Sequence, residues 1–440
     1  MTVPPFFALT RFSATIISAL GWVLWISCIV LISYYVYLSD VRVTIPHGQY
    51  IFFGLAILGG IVLLPLFKGI AFDDSLKPFF LLVTTLFVYV FLSGVFGVSS
   101  GVQGPRLSGI LMLTLIPYVI FGCIANNPKL YHLIMPLFFI ALISAIGAAA
   151  LQWSGPLEFG GVRISNYLHR GTRWSFLFQE ANGLAGILVV GITTLLYLAW
   201  VIKDKIYTSL LIGLVMPFML FVFLMTNSRA SLGWLLWAFL VFGSVAVVVL
   251  YRKHQDRKTK YLWWAAGISS IIAIVIVLPV ITDVLSEYLR LGQTDITSGR
   301  LKIWGIYWQQ FLEHPLLGIG FGATPTFLED QHVRSPLNVY VGMLGETGLA
   351  GLIPLLILWG GGLFYSARAV VRAWNVDSEQ LAVGLWCLAM LGGMAIQQNG
   401  EWWIMRVSPI NYIFFFTLTV AWVHCARTPK PVRLSQPGHH

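Results

Sequence analysis

SATIISALGWVLWISCIVLISYYVYL, from Ser13 to Leu38, holds no charged residue. A membrane-spanning helix needs about 20 mostly apolar residues, so this run is long enough to cross a bilayer. It is too long for the apolar core of a secretory signal, and no small-residue cleavage site follows it, so it is expected to stay as the first span. Runs of the same kind recur to the far end of the chain. Twelve candidate spans start near residues 13, 49, 78, 108, 131, 183, 206, 230, 262, 338, 380 and 408. Of the 440 residues 58% are hydrophobic and 10% charged, against roughly 25% charged in a soluble domain. The expected fold is an all-α polytopic membrane protein, with residues 1–440 as one membrane domain. Cys28, Cys123, Cys387 and Cys425 all fall inside apolar runs, which argues against a disulfide framework or a zinc site. The net charge of +10 points to membrane orientation and anionic lipid rather than to nucleic acid.

Lys and Arg placement sets the orientation. With the N-terminus in the cytoplasm, sixteen Lys/Arg fall inside and eleven outside. The inside set holds nine Lys and seven Arg; the outside set holds ten Arg and one Lys, Lys302. Arginine presents a planar fork that grips phosphate or carboxylate at two points, whereas lysine is a solvated point charge. An external face furnished with arginine suggests phosphate recognition.

Two external segments are long, 153–182 and 285–337, and long loops in compact proteins are usually functional. In the second, Ser298 is placed to cap a helix opening at Gly299 and Arg300. Ile303, Trp304, Tyr307, Trp308, Phe311 and Leu312 then recur on one helical face, an aromatic stripe that suits either packing or a membrane interface. Pro315 ends the helix, and Leu316 to Gly322 is a glycine-rich turn.

The order of short motifs is similar to that of the O-antigen ligase and polymerase superfamily. Ser298-Gly299-Arg300, Trp304 and His314-Pro315-Leu316-Leu317-Gly318-Ile319-Gly320 come first. Asn338, Tyr340, Leu344, Glu346-Thr347-Gly348 and Gly351 follow. Upstream, Asn227-Ser228-Arg229-Ala230 resembles the family's Ser-Arg motif, and Phe178, Asn182 and Ala185 resemble the motif before span six. The resemblance runs from about Arg163 to Leu355. It implies a GT-C-like helical membrane fold of about 12 transmembrane helices, with two long periplasmic loops that contain helices. The implied donor is a glycan on undecaprenyl diphosphate (the lipid-linked O-antigen), and the implied acceptor is the lipid A-core oligosaccharide. Transfer is then expected at the periplasmic face of the bacterial inner membrane, with both chain termini cytoplasmic, membrane lipids as the other partners and no cofactor.

Such a site must stabilise the departing diphosphate and take a proton from the acceptor hydroxyl. Arg229 and Arg300 are the expected catalytic arginines, since fixed positive charge at a developing phosphate charge is worth roughly 3 kcal/mol. Arg163, Arg170 and Arg173 are expected to hold the diphosphate at rest, with Asn338 and Tyr340 as further substrate-binding residues. No Asp-x-Asp occurs on the external side; Glu329-Asp330, with His332 nearby, is the adjacent acid pair there, and metal-independent chemistry is expected. Where the resemblance implies a histidine base, before Asn338, this chain carries Leu337. Leucine cannot accept a proton. Three readings stand: the chain is an inactive variant, His332 takes the role, or Glu346, a carboxylate near a span, serves.

A glycan polymerase of the same superfamily is the nearest rival. Polymerases often pair external loops carrying Arg followed eleven residues later by Gly; of the arginines tested, only Arg334 meets this, at Gly345. A protein oligosaccharyltransferase is a second neighbour. A secondary transporter would need ionisable groups at mid-membrane, and the spans starting near 13, 49, 78, 108, 131, 206 and 230 contain no Asp or Glu.

Overall fold

The computed structural model describes residues 77–96, 130–155, 157–159, 162–164, 173–175, 181–202, 205–253, 300–321, 323, 336–374, 378–401, 403–405 and 409–427. The spans expected near 13, 49, 108 and 262 lie outside the described residues, as do Arg170 and His332. A helix stands at each of the other expected spans: α1 (Lys77–Phe96), α2 (Tyr131–Ser154), α3 (Ala181–Val201), α4 and α5 (Lys205–Leu210 and Met216–Met225), α6 (Arg229–Lys253), α8 (Val339–Ala373), α9 (Ser378–Gln397) and α10 (Pro409–Val423). The helix expected from Arg300 is α7 (Arg300–Glu313). Among the described residues six helices are long and apolar enough to cross a membrane, and the chain is a membrane protein.

Two departures from the expected pattern have plain causes. The 206 span is interrupted by a π-helical turn, Leu211–Val215. Pro217 has no N–H and its ring would crowd the carbonyl four residues back, at Gly213; a wide turn there relieves both. The loop 153–182 was expected to hold helix, yet it carries a two-stranded antiparallel hairpin, β1 (Leu157–Phe159) with β2 (Val162–Ile164). Gly160-Gly161 separates the two strands in sequence, a pair that two-residue hairpin connections favour.

Helix α9 is the centre of the bundle, packed against α8, α6, α3 and α10. Without a hydrophobic drive between helices in lipid, close association depends on small residues that let neighbours approach. Gly393 shows it: a Cβ there would lie 1.6 Å from Trp234 Cδ1 of α6. Gly392 receives Trp237 in the same way, and Trp237 Nε1 donates to Leu388 O at 3.1 Å.

The feature that positions the site is a break in α8. Gly348 has φ 60° and ψ −161°, so the helix stops and restarts there. A break frees carbonyls before it and N–H groups after it, and in apolar surroundings each needs a partner. The segment after α7 supplies them. Ile319 N–H donates to Gly345 O at 3.1 Å and Gly320 N–H to Glu346 O at 2.9 Å. Beyond the break, Leu349 N–H donates to Pro315 O at 2.9 Å and Ala350 N–H to Leu316 O at 3.1 Å. From α1, Tyr89 donates to Leu317 O at 2.8 Å and Thr347 O at 2.9 Å, one hydroxyl shared by loop and helix. Ser93, one turn on, accepts from Phe321 N–H at 3.1 Å.

Helix α7 lies along the first part of α8. Ile303 and Tyr307 are buried, with Ile306, Leu337 and Val341 packed on them. Trp308 and Leu312, expected on the same stripe, are exposed and continue into exposed Leu316 and Leu317. The stripe therefore splits between a packed side and an outward apolar side of the kind that meets a membrane interface.

The two chains touch most closely at Gly348 and Gly318. A Cβ on Gly348 would sit 2.5 Å from Leu316 C, and one on Gly318 2.4 Å from Glu346 C. Gly348→Ala should therefore cost about 2 kcal/mol or more, from the left-handed backbone and the backbone clash together. Gly360→Ala in the same helix, where a Cβ meets open space, should leave stability unchanged or slightly higher. Thermal unfolding of both variants in detergent micelles checks the contrast.

Candidate functional site

At one end of the bundle α3, α6, α7 and α8 begin and α9 finishes. The residue that gathers them is Glu401, just past α9 and 2% exposed. Glu401 Oε1 lies 3.7 Å from Arg300 Nη2, at the first residue of α7. The same oxygen accepts from Asn182 Nδ2, in the first turn of α3. Asn182 Oδ1 in turn accepts from Arg173 Nη2 at 2.7 Å, and Arg173 Nε donates to Thr226 O at 2.8 Å. Trp174 N–H bonds Met225 O at 3.1 Å, so the stretch bearing Arg173 is fastened to the end of α5. Two arginines far apart in sequence thus converge on one buried carboxylate.

Arg300 is also shaped by what lies beneath it. A Cβ on Gly400 would come within 2.6 Å of Arg300 Nη1 and 3.4 Å of Ala230 Cβ. The guanidinium therefore lies against the bare backbone of Gly400, beside the first turn of α6. Arg229 opens that helix. Before it, Asn227 takes the left-handed backbone at φ 50°, a conformation that asparagine tolerates better than most residues. Ser228 follows, buried, with its carbonyl accepting from Leu232 N–H at 3.1 Å.

A row of buried amides and hydroxyls joins α6 to the end of α9. Ser228 Oγ donates to Ser231 Oγ at 3.0 Å, and Gln397 Nε2 donates to Ser231 Oγ at 2.9 Å. Gln398 Nε2 reaches Gln397 Oε1 at 3.4 Å, while Gln398 Oε1 accepts from Ile404 N–H at 3.3 Å. Unpaired polar groups in a low-dielectric interior are costly, and this chain of partners fixes where Glu401 emerges.

The sequence-derived residues separate on this geometry. Arg173 and Arg300 meet at Glu401, and Arg229 stands at the same end. Arg163 lies on β2, its backbone opposite Glu158. Asn338, expected to bind substrate, is 5% exposed and caps α8: its Oδ1 accepts from Val341 N–H at 3.0 Å, and its Nδ2 donates to Asn399 O at 3.1 Å. Tyr340, expected beside it, donates to Ala395 O at 3.0 Å and stacks on Trp359 with centroids 5.9 Å apart. Both side chains have framework partners. Leu337 takes φ 51° and packs on Ile303 and Tyr307. Glu346 is 1% exposed, at the α8 break beneath the Gly318–Gly320 loop. Glu401 and the glutamine pair escaped the sequence reading. Their signal was the polar run Gln397-Gln398-Asn399-Gly400-Glu401 interrupting an apolar stretch.

Residues 214–356 match the family model described as O-antigen ligase. The resemblance carried by the motifs holds over that stretch, which includes Arg229, Arg300 and the broken helix. With the apolar helices around it, the match supports a membrane glycosyltransferase of the O-antigen ligase and polymerase type. No curated protein matches the chain.

The framework roles are measurable as stability. Asn338→Ala removes a cap and strands the Asn399 carbonyl, and should cost about 1–2 kcal/mol. Tyr340→Phe should cost about 1 kcal/mol. Denaturant titration in mixed micelles reads both, and unchanged stability would remove the framework role.

Proposed function

We propose that this chain transfers a glycan from undecaprenyl diphosphate to the lipid A-core oligosaccharide, on the periplasmic side of a bacterial inner membrane. The observation that carries the reading is the convergence of Arg300 and Arg173, with Arg229, at one end of the helical bundle. A diphosphate leaving group gathers negative charge as the glycosidic bond breaks. Arginines already oriented in a site of low dielectric stabilise that charge with little reorganisation. Several such arginines serve a diphosphate without a metal ion.

The charge pattern supports the orientation. Helices α6 and α8 start at the arginine end; their far ends carry Lys253, Arg368 and Arg372. Ends carrying Lys and Arg in short connections belong in the cytoplasm by the positive-inside tendency, which favours the arginine cluster outside. The exposed apolar side of α7, with Trp308, Leu312, Leu316 and Leu317, suits a helix lying where a lipid carrier presents its head group.

Leu337 supplies no base. We assign the loss of the histidine to this position, with His332 as the next group to change. The test is transfer in proteoliposomes holding lipid-linked glycan and core-bearing lipid A. Leu337→His should transfer faster than the present chain. In that background Arg229→Ala and Arg300→Ala should each lower the rate by about a hundredfold or more, with folding kept. Full activity in both arginine variants would remove the arginines from the site. Transfer to a growing glycan, and none to lipid A-core, would make the chain a polymerase.

A further inference from the structure

Resting on the reading of this end as a diphosphate site, we infer that Glu401 is its positioning residue: it holds Arg300 directly, and Arg173 through Asn182, as one preformed clamp for the donor's diphosphate. Arg173, Asn182 and Glu401 all lie outside the stretch that matches the ligase family, residues 214–356.

The geometry carries the inference in three steps. First, Glu401 is 2% exposed, yet its Oε1 is shared by Arg300 and Asn182. A carboxylate so enclosed is held in place only by partners that satisfy it. Secondly, the arms arrive from different parts of the chain. Arg300 starts α7, Asn182 starts α3, and Arg173 precedes α3. Each arm is brought in by its own element, and the shared oxygen is what links Arg300 to Asn182. Thirdly, Arg300 is only partly enclosed: its side chain keeps 26% of its surface exposed while Glu401 keeps 2%. A guanidinium with part of its surface open can still meet an anion, and its planar fork suits phosphate.

Glu401 also tempers the site. Arginines gathered without an acid would repel one another and bind any anion indiscriminately. A single buried carboxylate lowers that repulsion and still leaves the two arginines it links in net positive excess. When the diphosphate arrives, the arginines need not reorient, so less affinity is spent on ordering side chains.

Gly400 is part of the same device. Its missing side chain is the floor on which the Arg300 guanidinium rests, 2.6 Å from where a Cβ would be. The obstruction falls on the tip of a flexible side chain, so Gly400→Ala leaves the backbone in place and displaces Arg300 alone.

The experiment is binding of undecaprenyl diphosphate to the full chain in detergent micelles, which does not require turnover. Variants are Glu401→Gln, Gly400→Ala, Arg300→Ala and the doubles of each with Arg300→Ala, with unfolding temperature measured alongside. A positioning role predicts that Glu401→Gln and Gly400→Ala each weaken binding about tenfold, that Gly400→Ala weakens it no further once Arg300 is gone, and that Glu401→Gln then keeps only the part of its loss that runs through Asn182 and Arg173. A Gly400→Ala loss that multiplies with that of Arg300→Ala overturns the inference, as does a Glu401→Gln loss that multiplies in full, because neither residue then acts through Arg300. So does undiminished binding by both singles while Arg300→Ala binds weakly; in either result the diphosphate site stands and only its positioning residue is lost. Should Glu401→Gln fail to fold, Gly400→Ala with its double decides alone. Failure of the unaltered chain to bind undecaprenyl diphosphate removes the diphosphate site, and the inference with it.

Discussion

The backbone of a broken helix in apolar surroundings must find partners, and the break at Gly348 makes that demand on the rest of this fold. Five carbonyl and N–H groups around the break are met by the Pro315–Gly320 loop and by Tyr89. Leaving each one unmet would cost several kcal/mol in hydrocarbon. The loop is therefore fastened to α8 rather than laid over it. Helix α7 ends where that loop starts, so its direction is set from its C-terminal end by the break. Ile303 and Tyr307 then seat it along α8, and Arg300, at its other end, is delivered to Glu401. A constraint on main-chain hydrogen bonding thus places a guanidinium several turns away.

How much of this was legible follows from what each signal depends on. Apolar length is local, so α2, α3, α6 and α9 stood out directly, and Arg300 through Glu313 could be read as a helix from its spacing and from Pro315. The role of Gly318 and Gly348 was not legible. Each glycine explains the other only once the two backbones touch, and a single sequence holds no record of that contact. Glu401 was missed for a related reason. Counting apolar residues treats the region beyond 380 as spans, and the three partners that give this acid a meaning, Arg300, Asn182 and Arg173, are all remote in sequence. Asn338 and Tyr340 show the opposite gap. Their place beside motif positions suggested ligands, and the sequence did not show that the amide also caps α8 and that the tyrosine also reaches the Ala395 carbonyl.

The arginine end also shows why lysine would not substitute there. Arg173 uses Nε on the Thr226 carbonyl and Nη2 on Asn182, two directions fixed by one rigid plane. Arg300 lies against Gly400 while its Nη2 faces Glu401. An ammonium group has neither the plane to rest on a backbone nor the fork to divide between two acceptors. The preference for arginine over lysine in these segments, first noticed as composition, becomes a geometric requirement where the arginines converge.

The turn at Leu337 bears on the missing base. Leucine at φ 51° occupies a region that costs an L-residue roughly 1–2 kcal/mol, and Asn, Asp and His enter it several-fold more readily than most side chains. The next residue, Asn338, is extended at φ −163° and caps α8, so the turn is imposed by the helix start and not chosen by the leucine. Leu337 meets it by packing on Ile303 and Tyr307 of α7, one turn along from Arg300. The backbone is therefore shaped for a residue that accepts the left-handed conformation, while the side chain now there offers only apolar contact. A proton acceptor placed at this point would leave the arginines, the broken helix and the cap untouched, because the Arg300–Glu401 pair, the bonds around Gly348 and the Asn338 cap run through other groups.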